Sequence, residues 1–383
     1  MRKQLLLFIT LLLFGFNSYQ LRAQSATGSN VISTAVPFLT IAPDSRGAAL
    51  GETGVATSPD VNSQYWNSAK YAFFEQEMGL SLSYSPWMRS VVSDMSLSYL
   101  TYFAHIADYQ TLSTSLRYFS YGSMPFYDAE GILQSYQNPN EFALDFAYAI
   151  KLSRCWSGSV VLRYIRSDMA SGSVGGIEMS PTNAFAADIA FYYRKETRRG
   201  RRSNAWNLGA VFSNIGTPIS YDDGVTKNYL PANMRIGGAY ELSVDRYNKI
   251  NFSLDFNKLM VPTTNYVSST TNDDIIIATN HTSDYGVMGS IFRSFTDAPG
   301  GLKEELQEIT SSIGVEYMYN DQFAVRTGFF NENENKGGRK YLTFGAGLTL
   351  YSFTFDMSYL YTLSTTSPLE NTIRFTLSFD FGG

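Results

Sequence analysis

The sequence predicts an all-β protein: a transmembrane antiparallel β-barrel of about fourteen strands, with an N-terminal arm or plug and a short helix in its longest extracellular loop. Three observations predict it. Aromatic residues make up 15% of the 383 residues, with 27 Tyr and 27 Phe, while charged residues reach only 16%. Mean hydropathy is nevertheless −0.14, so the hydrophobic 44% is diluted by polar neighbours rather than gathered into runs. No internal apolar run approaches the roughly eighteen residues that a transmembrane helix needs. From Met78 onward, apolar and small polar residues instead alternate with a period of two, the pattern of strands that are apolar on one face only. A soluble β-sandwich would also alternate, but it would rarely place so many aromatics on exposed-type faces.

Taken in order, residues 1–23 read as a secretory leader. Arg2 and Lys3 form its positive start, Leu5–Phe16 is an apolar core too short to span a bilayer, and Leu21-Arg22-Ala23 precedes the expected cut before Gln24. No Cys follows that cut, so no lipoprotein anchor is expected. Residues 24–77 are mixed: a polar lead, an apolar Val31–Ile41 interrupted by Pro37, a Gly/Ala-rich 44–54 and a short piece ending near Phe74. Two readings stay open for them, an arm packed on the barrel and a plug in its lumen. Residues 78–383 form the barrel.

Strands are expected at 78–84, 95–104, 111–121, 141–151, 158–167, 184–194, 205–213, 232–242, 249–259, 310–319, 322–331, 340–350, 353–362 and 371–381. Within 141–151, Phe142, Leu144, Phe146, Tyr148 and Ile150 share one face and Ala143, Asp145, Ala147 and Ala149 the other. The last strand sets Ile373, Phe375, Leu377, Phe379 and Phe381 against Arg374, Thr376, Ser378 and Asp380. Connections alternate between short and mostly longer, as periplasmic turns and extracellular loops do. By that parity the longest connection, 260–309, is extracellular. Its Asp297-Ala298-Pro299-Gly300-Gly301 is turn chemistry, and Leu302, Leu306 and Ile309 then follow at the spacing of a short amphipathic helix.

If the apolar faces meet lipid, the other faces line the lumen. They carry Arg117, Asp145, Arg163, Asp188, Arg235, Asp255, Glu316, Arg326, Asp356 and Arg374, mostly alternating in sign from strand to strand. Unlike charges on neighbouring strands attract, and an unpaired charge in a poorly hydrated lumen would be costly. Balanced signs suit a structural belt better than a solute-selecting constriction, which displays an excess of one sign.

Formal net charge is −5, which does not suggest a nucleic-acid partner. One Cys, Cys155, excludes an intrachain disulfide, and two His leave little for metal or acid–base chemistry, so no cofactor or metal is expected. His105 falls at a strand end and His281 in the long loop beside Thr282-Ser283, and neither adjoins a nucleophile elbow. An outer-membrane lipid hydrolase would need one of them. Arg194–Arg202 is a dense basic turn, read as solvated and meeting lipid phosphates or as a patch for an acidic partner. Acidic clusters at Asp222-Asp223, Asp273-Asp274 and 332–334 lack EF-hand spacing and read as solvated loops.

Longer motifs carry a family resemblance. The block from Val31 to Arg46 (VISTAVPFLTIAPDSR), 54–60 (GVATSPD), 65–71 (YWNSAKY), the Ser294–Gly301 segment (SFTDAPGG), 337–342 (GGRKYL) and 367–372 (SPLENT) resemble the PorV family, the outer-membrane barrels of the type IX secretion system. That family is distantly similar to FadL fatty-acid transporters, whose Asn-Pro-Ala motif appears here as Asn67-Ser68-Ala69 without the proline. The resemblance implies a non-enzymatic outer-membrane barrel. It would bind the C-terminal signal domains of secreted cargo leaving the SprA translocon and deliver them to the PorU sortase with PorQ and PorZ, amid outer-membrane lipid and lipopolysaccharide. Loops carry recognition disproportionately. The expected contact surface is therefore Val261, Pro262, Thr263, Thr264, Asn265 and Tyr266, with Ser294, Phe295, Asp297, Ala298, Pro299, Gly300, Gly301, Glu304 and Glu305. A FadL-like channel for hydrophobic small molecules is the alternative.

Overall fold

The computed structural model describes residues 31–88, 92, 94–127, 133–169, 172–174, 177–199, 202–221, 227–263, 266–271, 274–279, 286–363 and 369–382. The leader 1–23, Asp222-Asp223, Asp273, Thr264, Asn265, His281 with Thr282-Ser283, Gly200-Arg201 and Ser367-Pro368 lie outside the described residues.

Fourteen strands close a barrel: β1 (Met78–Pro86), β2 (Ser96–Ala107), β3 (Gln110–Ser120), β6 (Asn140–Lys151), β7 (Trp156–Asp168), β10 (Thr182–Arg199), β11 (Arg202–Gly216), β12 (Asn233–Ser243), β13 (Asn248–Leu259), β16 (Thr310–Tyr319), β17 (Phe323–Asn331), β18 (Lys340–Leu350), β19 (Phe353–Thr362) and β20 (Ile373–Phe381). Every neighbouring pair is antiparallel, and β20 returns to β1 with Leu82 opposite Leu377. Three small hairpins stand in the connections: β4 (Met124–Tyr127) with β5 (Leu133–Gln137), β8 (Gly172–Val174) with β9 (Ile177–Met179), and β14 (Tyr266–Thr271) with β15 (Asp274–Thr279). The barrel is the one the alternation predicts. Phe146, Leu162, Phe185 and Leu208 are exposed on its outside, while Ala143, Asp145, Arg163 and Asp188 are buried inside.

Two strands outrun their sequence limits furthest. The basic stretch after Arg194 is not a loop, because β10 continues to Arg199 and β11 resumes at Arg202. Propensity alone would not extend strands through five basic residues; the ladder does, with Lys195 opposite Trp206 and Thr197 opposite Asn204.

Residues 35–73 fill the lumen. A short turn of helix at Pro37–Thr40, helices at Ser45–Ala49 and Ser63–Trp66 and a 3₁₀ segment at Ser68–Phe73 bring Phe38, Ala48, Trp66 and Tyr71 to near-zero exposure. Their spare backbone groups are satisfied by the wall, as buried polar groups must be. Ser45 N–H donates to Thr376 Oγ1 on β20, Gly51 N–H to Thr343 Oγ1 on β18, and Ser157 Oγ on β7 donates to the Ala69 carbonyl. Asn67, in the Asn67-Ser68-Ala69 motif, donates to the carbonyls of Val55 and Phe191. The Gly-rich composition of this segment follows from close approach. A Cβ on Gly54 would fall 2.1 Å from Trp66 Cδ2, and one on wall residue Gly328 would fall 2.0 Å from Gly51 N.

The 260–309 connection holds two helices, Val287–Arg293 and Leu302–Gln307. The second is the helix that the spacing predicts. The first lacks a side-chain cap and contains a glycine, which removes the usual sequence signals.

Candidate functional site: a lumen ion network and a docked rim element

The lumen charges divide into two clusters. Arg163 bridges its neighbours: Nε donates to Asp145 Oδ1 at 2.6 Å and Nη2 to Asp188 Oδ2 at 2.9 Å. Arg117 adds Nη2 to Asp145 at 3.4 Å and Nη1 to the Leu39 carbonyl of the lumen segment at 3.1 Å. On the far wall Arg326 Nε donates to Glu316 Oε2 at 2.6 Å, and Arg326 also pairs with Asp356. All seven of these wall groups are buried.

Three expected belt members are held differently. Arg235 and Asp255 do not pair with each other. Arg235 lies 5.2 Å from the Tyr65 ring centroid and 5.1 Å from that of Trp66, within cation–π range. Asp255 Oδ2 accepts from the N–H groups of Gly54 and Val55 at 2.7 and 3.0 Å. The lumen segment therefore competes successfully for both. Arg374 sits 5.4 Å from the Trp87 ring, with Nε and Nη2 lacking hydrogen-bond partners among the described residues.

Two participants escaped the sequence reading. Arg46 joins the segment to the wall, with Nη2 to Glu316 Oε1 at 3.0 Å and Nη1 to Asp60 Oδ2 at 2.8 Å. Strand alternation points only to charges on strands, and Arg46 is on none, lying in the short helix Ser45–Ala49. Asn214 donates its N–H to Asp188 at 2.7 Å from a left-handed conformation, φ 58°, where the β10–β11 register shifts. A β-bulge re-aims a side chain in this way, and no composition signal marks one.

At the long-loop end a second acid–base cluster holds the helical element. Lys258, near the end of β13 and 6% exposed along its side chain, pairs with Glu305 and Glu308. Lys336 pairs with Glu304 at 2.6 Å and Glu308 at 3.0 Å. Thr263 N–H donates to Asp297 Oδ2 at 3.0 Å, and Ala298 N–H to Glu305 Oε1 at 2.9 Å, so the Asp-Ala-Pro-Gly-Gly turn is stitched to both ends of the element. Partial burial pushes the Asp297 carboxyl up, and Glu305 and Glu308 add to the rise against the Thr263 N–H.

The helix thus docks by its acidic face. Leu302 and Leu306, which an amphipathic reading would turn inward, are 81% and 68% exposed, and Phe292 is 70% exposed. The reason is that two buried lysines demand carboxylates, and one helical face supplies them. Of the expected contact residues, Val261, Pro262, Thr263, Ser294, Ala298 and Glu305 are buried in the chain itself. Asp297 and Glu304 are half-buried, and Phe295, Pro299, Gly300 and Gly301 are exposed. Tyr266 begins β14. The acidic loop cluster at 332–334 is not simply solvated either, since Glu332 is buried against Arg339 at 2.8 Å.

Between the lumen segment and the barrel wall lies a cavity of about 500 Å³, lined by Phe38, Trp87, Met95, Phe119, Tyr341 and Leu360 together with Glu52 and Arg339. His105 offers no free nitrogen for hydrolysis: Nε2 meets the Phe74 carbonyl at 3.1 Å and Nδ1 the Thr111 hydroxyl at 2.8 Å. Cys155 is a half-buried free thiol.

The family model described as type IX secretion system protein PorV matches residues 24–266. The chain belongs to the PorV family. It is thereby an outer-membrane component of the type IX secretion system, and the arm segment, the Arg117–Asp145–Arg163–Asp188 cluster and the first part of the long connection fall within the matched region, whereas Glu316, Arg326 and Asp356 lie beyond it. No individually curated protein matches the sequence. Among solved structures, a TodX deltaS2S3 mutant monoaromatic hydrocarbon channel is 10% identical, TM-score 0.51, covering 89% of this chain and 99% of its own. The CymD monoaromatic hydrocarbon channel is 10% identical, TM-score 0.50, over 89% and 97%. A Pseudomonas aeruginosa FadL homologue is 9% identical, TM-score 0.47, over 89% and 98%. At such identity these likenesses concern the fold alone, a closed antiparallel β-barrel.

Proposed function

We propose that this PorV-family barrel is a non-enzymatic receiver of secreted cargo. It takes C-terminal signal domains from the SprA translocon at its long-loop face and passes them to the PorU sortase with PorQ and PorZ. The observation that carries the reading is the rim element 287–307, whose acidic face is spent on Lys258 and Lys336 while Phe292, Leu302 and Leu306 are left facing outward. A docked, ordered element presenting large apolar groups suits protein recognition better than solute passage. Deleting 297–306, or converting Leu302 and Leu306 together to Glu, is expected to abolish co-purification of cargo and translocon with the heat-modifiable barrel intact. Retained co-purification in both variants would sink the assignment.

The cavity beside Trp87 and Phe119 supports a second reading, a channel for hydrophobic small molecules like that named for the structural neighbours. A channel needs a lateral gap or a movable plug, whereas the fourteen strands pair all the way round and the lumen segment is bonded to several of them. Mass spectrometry of the purified barrel separates the two readings. Stoichiometric bound lipid or detergent, lost on Phe119→Arg with co-purification unaffected, would favour the channel.

A further inference from the structure

One hairpin at the short-turn end outreaches its neighbours. β10 pairs with β11 as far as Arg199 opposite Arg202, but with β7 only as far as Tyr193 opposite Trp156. One further bond, from Arg194 N–H to the Cys155 carbonyl at 2.8 Å, ends that side. Beyond it, among the described residues, the β10 edge has no partner strand.

Antiparallel alternation decides which groups face that edge. Hydrogen-bonded and non-hydrogen-bonded pairs alternate along the ladder. Arg199 and Arg202 flank the tip and exchange bonds, so Thr197 with Asn204 and Lys195 with Trp206 do so as well. The N–H and C=O of Glu196 and Arg198 therefore point away from β11, in the same sense as those of Arg194, whose bond to Cys155 agrees independently. The edge offers two spare donors and two spare acceptors on exposed residues.

Charge then selects what can lie there. Glu196 is already engaged by Arg194 at 3.1 Å and Arg198 at 3.5 Å. Lys195 and Arg154, lining the same mouth, have no carboxylate within ion-pair range among the described residues. In sequence, Arg199, Arg201 and Arg202 follow. Basic residues on a strand edge repel a second copy of the same edge, which guards against self-association. They leave the edge open to a strand of opposite charge.

We propose that the Lys195–Arg199 edge of β10, on the periplasmic side where such barrels keep their short turns, is a docking edge for an extended acidic segment of a partner protein, which adds to it as a further strand. It concerns the face opposite the cargo-docking rim and does not depend on that reading.

The test uses the full-length barrel in phosphatidylcholine nanodiscs and a fluorescent ten-residue peptide alternating Thr and Glu, with its Thr/Lys counterpart as control. Fluorescence anisotropy is expected to show the acidic peptide binding at least about tenfold tighter. Glu196→Pro removes one outward N–H while making the edge more positive, and it is expected to weaken binding about tenfold, with Glu196→Gln retaining it. Should the proline disturb the hairpin, amide exchange on the unmodified protein answers instead. The Glu196 and Arg198 amides are expected to slow about tenfold with peptide while Thr197 stays unchanged. Equal binding of the two peptides, or unchanged exchange at Glu196 and Arg198, overturns the proposal. So does slowing of those amides by phosphatidylglycerol vesicles alone, which would make the hairpin a lipid contact.

Discussion

The lumen and the long-loop rim both bury carboxylates against cations, but they use different cations. In the lumen the bridging groups are arginines: Arg163 spans Asp145 and Asp188, Arg326 spans Glu316 and Asp356, and Arg46 spans Glu316 and Asp60. At the rim they are lysines, Lys258 and Lys336, each facing two glutamates of one short element. A guanidinium is a rigid planar fork that fixes the relative positions of its partners, whereas an ammonium is a point charge on a flexible stem. The lumen is therefore wired for immobility between strands that cannot shift register. The rim cluster can hold its element through a change of angle. A wall that stays closed and a surface element that can adjust are what the proposed cargo-receiving role needs.

The sharpest way to break this comparison is to attack each cluster at its centre. Asp145→Lys replaces the acceptor shared by Arg117 and Arg163 with a third cation. The expected loss is about 3–5 kcal/mol, read as a marked fall in the temperature at which the folded form disappears on heat-modifiable electrophoresis. Unchanged heat resistance with altered conductance would make the belt a constriction rather than a brace.

Lys258→Met leaves Glu305 and Glu308 short of one partner. Its expected effect is smaller, about 1–3 kcal/mol, and confined to 287–308, read as faster amide exchange there with the barrel's heat resistance unaltered. A fall as large as that of Asp145→Lys would erase the distinction between the two regions.

The smallest effect is that of pH on the rim. Because the folded-state pKa of Asp297 is raised by burial and by Glu305 and Glu308, the docked element binds that proton more readily than the undocked one does. Docking should strengthen as pH falls through the raised value toward the ordinary aspartate range near about 4, and weaken as pH rises above it. Exchange of the Thr263 amide should follow this trend, and Asp297→Asn should flatten it.

Much of the barrel was legible because lipid on one side and a packed lumen on the other impose a period of two on every strand. That is why Phe142 to Ile150 and Ile373 to Phe381 could be assigned to faces, and why Asp145 and Arg163 could be expected as neighbours. Less of the candidate site was legible. Periodicity marks a helix at Leu302–Gln307 but cannot say which face docks, and the apolar one is exposed because Lys258 and Lys336 arrive from elsewhere in the chain. Buried Val261 and Ser294 look like loop residues in sequence, since nothing local reports that a connection folds back onto its own barrel.

By itself, then, the sequence determined the architecture and the secretion-system family, because both reside in local alternation and in contiguous motifs. Only the tertiary structure decided that Arg46 completes the lumen network, that Arg235 stacks on Tyr65 and Trp66 instead of pairing with Asp255, and which way the Leu302–Gln307 helix faces. Each of these depends on groups far apart in the chain competing for the same few buried partners, and the winner is set by distance and geometry that no local pattern encodes.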